Sequence, residues 1–126
     1  MPPPQNDPNL SYRPGSPERA ELKARLAAMA GEQIDIPIII GGKEIRTGNT
    51  GTVVMPHKHA HVLATWHKAT PDHVQQAIDA SLEARKEWAS WPFEDRAAIF
   101  LRAAEMLTTT WRQTLNAATM LGQSKT

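Results

Sequence analysis

The hydrophobic period of the chain changes from that of a strand to that of a helix near Thr70, and this change limits the folds it can adopt. Every second residue from 34 to 40 is an isoleucine, which is the two-residue period of a strand. From Thr70 onwards apolar residues recur every four positions, as Val74, Ile78 and Leu82 do, which is typical of a helix. Another helical pattern precedes the strands. The order predicts an α+β fold: a helix, antiparallel strands with a hairpin, then three helices.

Turn signals divide the alternating region into short strands. Gly41-Gly42 is a two-residue hairpin signal, so the isoleucine run should pair with a return strand over Lys43–Thr47. Pro37 cannot donate a hydrogen bond, which favours an edge position for the isoleucine strand. Three further features are predicted downstream: a turn at 48–51 and strands at 52–55 and at about 61–67.

Capping signals place the helices. Ser16 followed by Pro17 is typical of a helix start, and Gly31 is expected to end that helix. Thr70-Pro71 repeats the start signal for a second helix. The other boundaries are assigned in the same way: Glu94-Asp95 opens a third helix, the threonines at 108–110 supply capping hydroxyls for a fourth, and Gly122 ends it.

Residues 1–15 are rich in proline and are predicted to form an extended arm. The prolines are Pro2, Pro3, Pro4, Pro8 and Pro14. Proline fixes φ and removes a backbone donor, so this segment has little capacity for regular structure. Two interpretations stay open, a frayed terminus and an arm that docks on another surface. The rest of the chain, residues 16–126, is treated as one block.

Composition and charge exclude several classes of function. A formal net charge of +1, with 21% charged residues, gives no electrostatic case for binding nucleic acid or an acidic membrane. No apolar run approaches the roughly 20 residues that a membrane span needs. The first seven residues lack the apolar core of a signal peptide, so a cytoplasmic location is expected. The absence of cysteine excludes disulfides, thiolate metal sites and a cysteine nucleophile within these residues.

Three alternating histidines, His57, His59 and His61, are the candidate metal ligands. In an extended segment they would point to one face, and imidazole suits zinc, copper or nickel. No cysteine or clustered carboxylate supports them, and Lys58 adds repulsion. A solvated loop is the favoured interpretation, so no metal-binding residue is predicted.

Two glycine-containing stretches superficially look like phosphate loops. They are Gly41-Gly42-Lys43 and the segment 122–126, and neither has the GxxxxGK[ST] spacing. A hairpin turn explains the first, and a helix end explains the second. The dinucleotide signature GxGxxG is also absent. From the residues alone, therefore, no catalytic residue and no cofactor-binding residue is predicted.

Six stretches nevertheless resemble a known family as a set. They are residues 15–19 (Gly-Ser-Pro-Glu-Arg), 38–44, 77–80, 84–88, 95–101 and 118–126. In this order they resemble the N-terminal region of the aldehyde dehydrogenase superfamily, and more narrowly of its Δ1-pyrroline-5-carboxylate dehydrogenase branch, which oxidises L-glutamate γ-semialdehyde. The resemblance covers nearly all of the chain after about residue 10.

The resemblance implies an NAD-dependent enzyme that converts the semialdehyde to glutamate in proline catabolism. In that family a cysteine thiolate attacks the aldehyde, hydride passes to NAD, and water then releases the acid. The complete fold is α/β with a Rossmann-type NAD-binding domain, of which residues 16–126 would be the incomplete N-terminal part. The cysteine and the NAD site would lie beyond Thr126, so this chain alone is expected to be inactive. A complete chain would be a homo-oligomer, located in the mitochondrial matrix if the source is eukaryotic.

An alternative stays open: a stand-alone interaction module derived from a split or decayed aldehyde dehydrogenase. Under the family interpretation, two helical stripes should pack against residues beyond Thr126. They are Val74/Ile78/Leu82 and Ile99/Ala103/Met106. The chain alone should then expose an apolar patch larger than the few hundred Å² normal for a monomer.

Overall fold

The computed structural model describes residues 6–125 and contains helices and strands in the predicted α+β order. In chain order the elements are α1 (Pro17–Gly31), β1 (Ile34–Ile36), β2 (Ile38–Ile40), β3 (Lys43–Ile45), β4 (Thr50–Met55), β5 (Lys58–His67), α2 (Pro71–Ser90), α3 (Phe93–Thr108) and α4 (Arg112–Gln123). They form two compact units. A helical unit contains α1, α3 and α4, and a sheet unit contains all five strands and α2.

The helical unit is built on the pairing of α1 with α4. Its buried residues within the range 6–125, Ala117 and Leu121, lie one turn apart on α4 and so on one face of that helix. The predicted start of α1 is confirmed, since Ser16 is the N-cap in an extended conformation and Pro17 is the first helical residue. Gly31 is the last helical residue rather than a left-handed cap, and Glu32 leaves the helix in an extended conformation.

The threonines at 108–110 do not cap α4, and that prediction was wrong. Thr108 Oγ1 and Thr109 Oγ1 both donate to the carbonyl of Glu105, at 3.1 and 2.6 Å. They thereby satisfy the last turn of α3, because threonine hydroxyls readily bond carbonyls three or four residues back. The N-cap of α4 is Trp111, which supplies no side-chain cap.

The end of α4 also differs from the prediction by two residues. Gly122 lies inside the helix, and the residue that leaves it in a left-handed conformation is Ser124, with φ 53°. A non-glycine residue at this φ carries a modest steric cost.

The arm is docked on the helical unit over its described part, residues 6–15. Asn116 Nδ2 donates to the hydroxyl of Tyr12 at 3.0 Å, and that hydroxyl donates to Gln113 Oε1 at 3.3 Å. Asp7 forms an ion pair with Arg112. The arm therefore joins α4 by side-chain contacts, while Pro2, Pro3 and Pro4 lie outside the described residues.

Pro37 divides the isoleucine run into two strands, where one strand was predicted. β1 pairs in parallel with β5, with Ile34 opposite Ala64, and belongs to a three-stranded sheet of order β1-β5-β4. β2 pairs with β3 in a separate two-stranded sheet. Proline lacks the donor that a continuous ladder would need, so the chain changes sheets at this residue. The β1–β5 pair is parallel, whereas the prediction was of antiparallel strands.

The hairpin at Gly41-Gly42 is confirmed. Both glycines have positive φ, 55° and 76°, as the two central residues of a type I′ turn require. α2 lies over this turn, since a Cβ placed on Gly41 would be 3.7 Å from the Cβ of Ala80. The turn thus gives α2 a backbone surface to approach.

β4 and β5 form the longest pairing in the sheet unit and hold its two buried residues, Met55 and Ala64. β5 begins at Lys58, three residues earlier than predicted, because the turn that precedes it is tight. Gly51 lies under the ring of Trp66: a Cβ at this position would be 2.7 Å from the indole. Only a residue without a side chain allows this approach.

Much of the apolar surface of α2 and α3 is exposed. The exposed apolar residues of these helices include Val74, Ile78, Leu82, Phe93, Ile99, Phe100, Leu101, Met106 and Leu107. Both predicted stripes are therefore open to solvent. Within residues 6–125, no helix is long and apolar enough to cross a bilayer.

Candidate functional site

A network of charged and polar side chains lies on the three-stranded sheet. Its centre is Asp35 in β1, whose Oδ2 accepts from Arg46 Nε at 2.7 Å. The other carboxylate oxygen, Oδ1, accepts from the hydroxyl of Thr65 in β5 at 3.2 Å. Arg46 also binds Glu44 in β3 at 2.7 Å. The network therefore joins residues from the two separate sheets.

His67 completes this network, and its side chain is only 8% exposed. The backbone N–H of Gly48 donates to His67 Nδ1 at 3.2 Å, so that nitrogen acts as an acceptor. The other ring nitrogen, Nε2, lies 3.2 Å from Asp35 Oδ1 and faces it with its hydrogen. A carboxylate that orients a histidine is an arrangement also found in catalytic sites.

The electrostatics of the network favour its ionised form. The guanidinium of Arg46 holds the pKa of Asp35 below its usual value, with smaller contributions from Thr65 and His67. Glu44, and then Asp35, raise the pKa of Arg46. Opposite charges at hydrogen-bond distance stabilise each other's charged state.

The network links the strands by hydrogen bonds and ion pairs. We assign it a structural role, because none of its members is placed to react with the histidine. A nucleophile would have to lie within hydrogen-bond reach of the imidazole. The hydroxyl in the network, that of Thr65, donates to Asp35 instead. Sequence reasoning missed this cluster. The available signal was Asp35, a carboxylate between two isoleucines of a strand. The hydrophobic period could not show that Thr65 lies opposite Asp35 on the neighbouring strand.

The three histidines occupy two kinds of structure. His57 lies in the turn between β4 and β5, whereas His59 and His61 lie in β5 itself. Among residues 6–125, no three histidine, cysteine or carboxylate side chains are grouped as a metal site would require. The position of His61 in β5 agrees with the strand predicted from about residue 61, whereas the favoured interpretation of a solvated loop was wrong for His59, because the tight turn extends β5 back to Lys58.

Neither glycine-containing stretch is placed between a strand and the start of a helix, as a phosphate loop would be. Gly41-Gly42 closes the β2–β3 hairpin, and Gly122 lies in the last turn of α4. A phosphate loop needs a helix N-terminus directly after its glycines, whereas Gly41-Gly42 is followed by the strand β3 and Gly122 is part of the end of α4.

A groove of about 690 Å³ lies along α1 and α4 in the helical unit. Its apolar wall includes Leu22 and Leu26 of α1 and Met120 of α4. Three cationic side chains also line it: Arg19, Lys23 and Lys125. The groove is built by the same helices that hold the docked arm, and Tyr12 of the arm forms part of its wall. It is a second candidate binding surface.

Comparison with known proteins gives a consistent assignment. The profile of the aldehyde dehydrogenase family matches residues 45–126. A Δ1-pyrroline-5-carboxylate dehydrogenase from Agaricus bisporus is 48% identical over 126 residues, which are 99% of this chain and 23% of that protein. A mitochondrial enzyme of the same name from Dictyostelium discoideum is 44% identical, over 100% of this chain and 23% of that protein.

Solved structures give the same assignment. The crystal structure of the Δ1-pyrroline-5-carboxylate dehydrogenase from Mycobacterium tuberculosis bound with NAD has a TM-score of 0.93 and 45% identity, covering 98% of this chain. A 1-pyrroline-5-carboxylate dehydrogenase from Thermus with bound NAD has a TM-score of 0.86 and 26% identity, covering 96%. This chain spans 23% of the length of each solved chain.

Proposed function

We infer the function of this chain from its family: it belongs to the aldehyde dehydrogenase family, whose profile matches residues 45–126. We propose that it is the N-terminal part of an NAD-dependent enzyme. The substrate of that enzyme is L-glutamate γ-semialdehyde, which forms from Δ1-pyrroline-5-carboxylate, and the product is glutamate. The reaction belongs to proline catabolism.

One observation carries the choice of substrate. The relatives named Δ1-pyrroline-5-carboxylate dehydrogenase align with 99% and 100% of this chain. The family profile, by contrast, begins at residue 45 and leaves out α1, β1 and β2. The segment that the general profile does not match is thus shared with relatives that carry this one activity in their names. This supports the narrower assignment.

The proposed role of these residues is structural. Within residues 6–125 no glycine-rich turn joins a strand to a helix that could receive the pyrophosphate of NAD, and the sequence contains no cysteine. We assign no contact with NAD and no catalytic step to any of them. Residues 16–126 would instead form the start of the NAD-binding domain, and residues 1–15 its arm. The exposed faces of α2 and α3 would pack against the remainder of that domain.

The activity is tested on two polypeptides, the 126-residue chain and the longest polypeptide that its reading frame encodes. Each is supplied with NAD and Δ1-pyrroline-5-carboxylate, and the formation of NADH and glutamate is measured. We expect activity from a polypeptide long enough to include a cysteine, and none from the 126-residue chain. A matched aldehyde without the α-amino and carboxyl groups serves as the control substrate. Faster oxidation of that control would contradict the proposed substrate.

A second candidate function is favoured by the exposure of α3. Along this helix all residues except Arg96 and Ala97 are exposed, as in a surface that docks on another protein. A split or decayed enzyme that acts as an interaction module would use this face on a separate chain. A reading frame that stops after Thr126, with activity restored only by a second polypeptide, would favour this candidate.

The proposed location follows the source. Relatives from Dictyostelium discoideum and Mus musculus are named as mitochondrial. We propose the mitochondrial matrix for a eukaryotic source and the cytoplasm for a bacterial one, with a homo-oligomer as the complete enzyme. Cell fractionation and light scattering on the purified enzyme test these two points.

A further inference from the structure

The groove along α1 and α4 presents two parallel rows of side chains on α1. Leu22 and Leu26 form an apolar row, and Arg19 and Lys23 form a cationic row beside it. Residues four apart lie one above the other on a helix, so each row runs along the helix axis. Met120 of α4 extends the apolar surface on the far side of the groove.

The cations of the groove have no carboxylate partner among residues 6–125. Two arginines of the same unit are paired, Arg112 with Asp7 and Arg102 with Glu105 at 2.7 Å. Arg19 donates only to the backbone carbonyl of Tyr12, at 3.1 Å. No ion pair joins Lys23 or Lys125 to any carboxylate of the described residues. The groove thus combines an apolar floor with unneutralised positive charge.

We propose that this groove docks an acidic amphipathic helix from the part of the enzyme that these residues do not include. The inference rests on the proposed function, which supplies that remaining part. A third helix can pack its apolar stripe between two others while carboxylates on its flank face the cationic row. The complementary helix carries Asp or Glu at positions four apart, beside an apolar row of the same spacing. The occupant belongs to the same polypeptide, since this chain spans only 23% of its relatives.

Zero-length carbodiimide cross-linking of the full-length enzyme tests the contact. The carbodiimide activates a carboxylate, and a lysine Nζ in contact with it displaces the activating group. An amide bond forms, and the carbodiimide leaves as a urea that has taken up the elements of water. We expect Lys23 or Lys125 to be coupled to a peptide from outside residues 1–126, found by mass spectrometry after proteolysis. That peptide should contain carboxylates at helical spacing.

Two matched controls accompany the cross-linking. Lys23→Arg and Lys125→Arg keep the positive charge but remove the amine, so each cross-link should disappear while the circular dichroism spectrum shows that the fold is kept. Lys86 lies 2.5 Å from Glu83 within α2, and coupling of this pair shows that the reagent reached the protein.

Several results would overturn the inference. One is coupling of Lys86 to Glu83 with none at Lys23 or Lys125. Another is coupling of the groove lysines to a carboxylate within residues 6–125, or to a sequence with no acidic residues four apart. In a mixture of isotopically light and heavy enzyme, cross-links between copies would identify a second molecule as the occupant and would also exclude this inference.

The dehydrogenase assay is independent of the cross-linking. An active enzyme without the cross-link refutes the docking site alone, and a cross-linked but inactive enzyme refutes the function alone.

Discussion

The sheet unit and the helical unit differ in the sequence separation of the contacts that stabilise each of them. In the sheet unit, Asp35 bonds Arg46, 11 residues away, and Thr65, 30 residues away. In the helical unit, the hydroxyl of Tyr12 meets Gln113 and Asn116, 101 and 104 residues away. The sheet unit is therefore one continuous segment, whereas the helical unit joins the two ends of the chain.

This difference in sequence separation indicates that the helical unit, more than the sheet unit, depends on contacts between distant parts of the chain. A contact between residues about 100 apart costs more loop-closure entropy than one between residues 30 apart, though the cost grows only logarithmically. The helical unit must recover that cost from a small core, in which Ala117 and Leu121 are the buried residues among those that the structure describes. We therefore expect substitutions in the helical core to have the largest effects, and four predictions test the comparison.

The largest effect is expected from Leu121→Ala in the helical core. Leu121 is 9% exposed, and removing a buried leucine typically costs about 2–5 kcal/mol of unfolding free energy. Leu115→Ala is the matched control on the same helix, because Leu115 is 42% exposed and should cost less than about 1 kcal/mol. Urea denaturation followed by circular dichroism measures both. Equal losses for the two variants would show that the α1–α4 contact is not the core of this unit.

The next effect is expected from Gly51→Ala in the sheet unit. The added Cβ would lie 2.7 Å from the indole of Trp66, so the ring or the strand must move, at a cost of about 1–3 kcal/mol. Gly31→Ala is the control, since a Cβ there meets nothing within 4 Å and alanine favours a helix by about 0.5–1 kcal/mol. The two variants should change the urea midpoint in opposite directions. A neutral Gly51→Ala variant would mean that Trp66 is not packed on this strand.

A smaller effect is expected from Tyr12→Phe, which tests the docking of the arm. The variant removes the hydroxyl that contacts Gln113 and Asn116, and a hydrogen bond of this kind contributes about 0.5–1.5 kcal/mol. The amide of Tyr12, which donates to Glu18 at 3.2 Å, should then exchange its hydrogen faster. Hydrogen exchange with mass spectrometry measures this. Ser11→Ala is the control, because its hydroxyl contact with Glu18 is long, at 3.5 Å, and exposed; equal exchange in both variants would argue against a docked arm.

The smallest effect is expected from the pH dependence of the Asp35 network. Arg46 lowers the pKa of Asp35 in the folded state, so this contribution to stability is present above the unfolded pKa. It is lost as the pH falls below about 5 and through the lowered pKa. Asp35→Asn should therefore flatten the loss of stability in this acidic range, as measured by the urea midpoint.

Arg46→Gln provides the matched test of the cause. It removes the main partner of Asp35, so the pKa of the carboxyl should rise toward its usual value in an NMR titration. The pKa of Glu18 in the helical unit is also lowered, chiefly by its own backbone amide. It should not respond to Arg46→Gln. A parallel change at Glu18 would mean that the titration reports general unfolding.

Local patterns predicted most elements correctly. The Gly41-Gly42 hairpin, the start of α1 at Pro17 and the start of α2 at Pro71 each depend on neighbouring residues and were confirmed. The errors arose where one local pattern permits two outcomes. A threonine can cap the next helix or bond backwards to the previous one, and Thr108 and Thr109 do the latter.

The candidate sites were less predictable than the elements. Nothing near Tyr12 indicates that it contacts α4, and nothing near Asp35 indicates that it binds Arg46 and faces His67. The groove also depends on two helices separated by 80 residues of chain. The resemblance to the aldehyde dehydrogenase superfamily, by contrast, rested on short stretches in order and was confirmed by the family profile.

By itself, then, the sequence determined the kinds of element and their order, because these depend on periods, caps and turns within a few residues. The family followed separately, from the resemblance of short stretches in order. Only the tertiary structure decided that Pro37 separates strands of two sheets, and that the arm docks on α4. It also showed that the stripes of α2 and α3 remain open to solvent. A hydrophobic period identifies which face of an element is apolar. It cannot identify what covers that face, because the partner lies far along the chain or outside these residues.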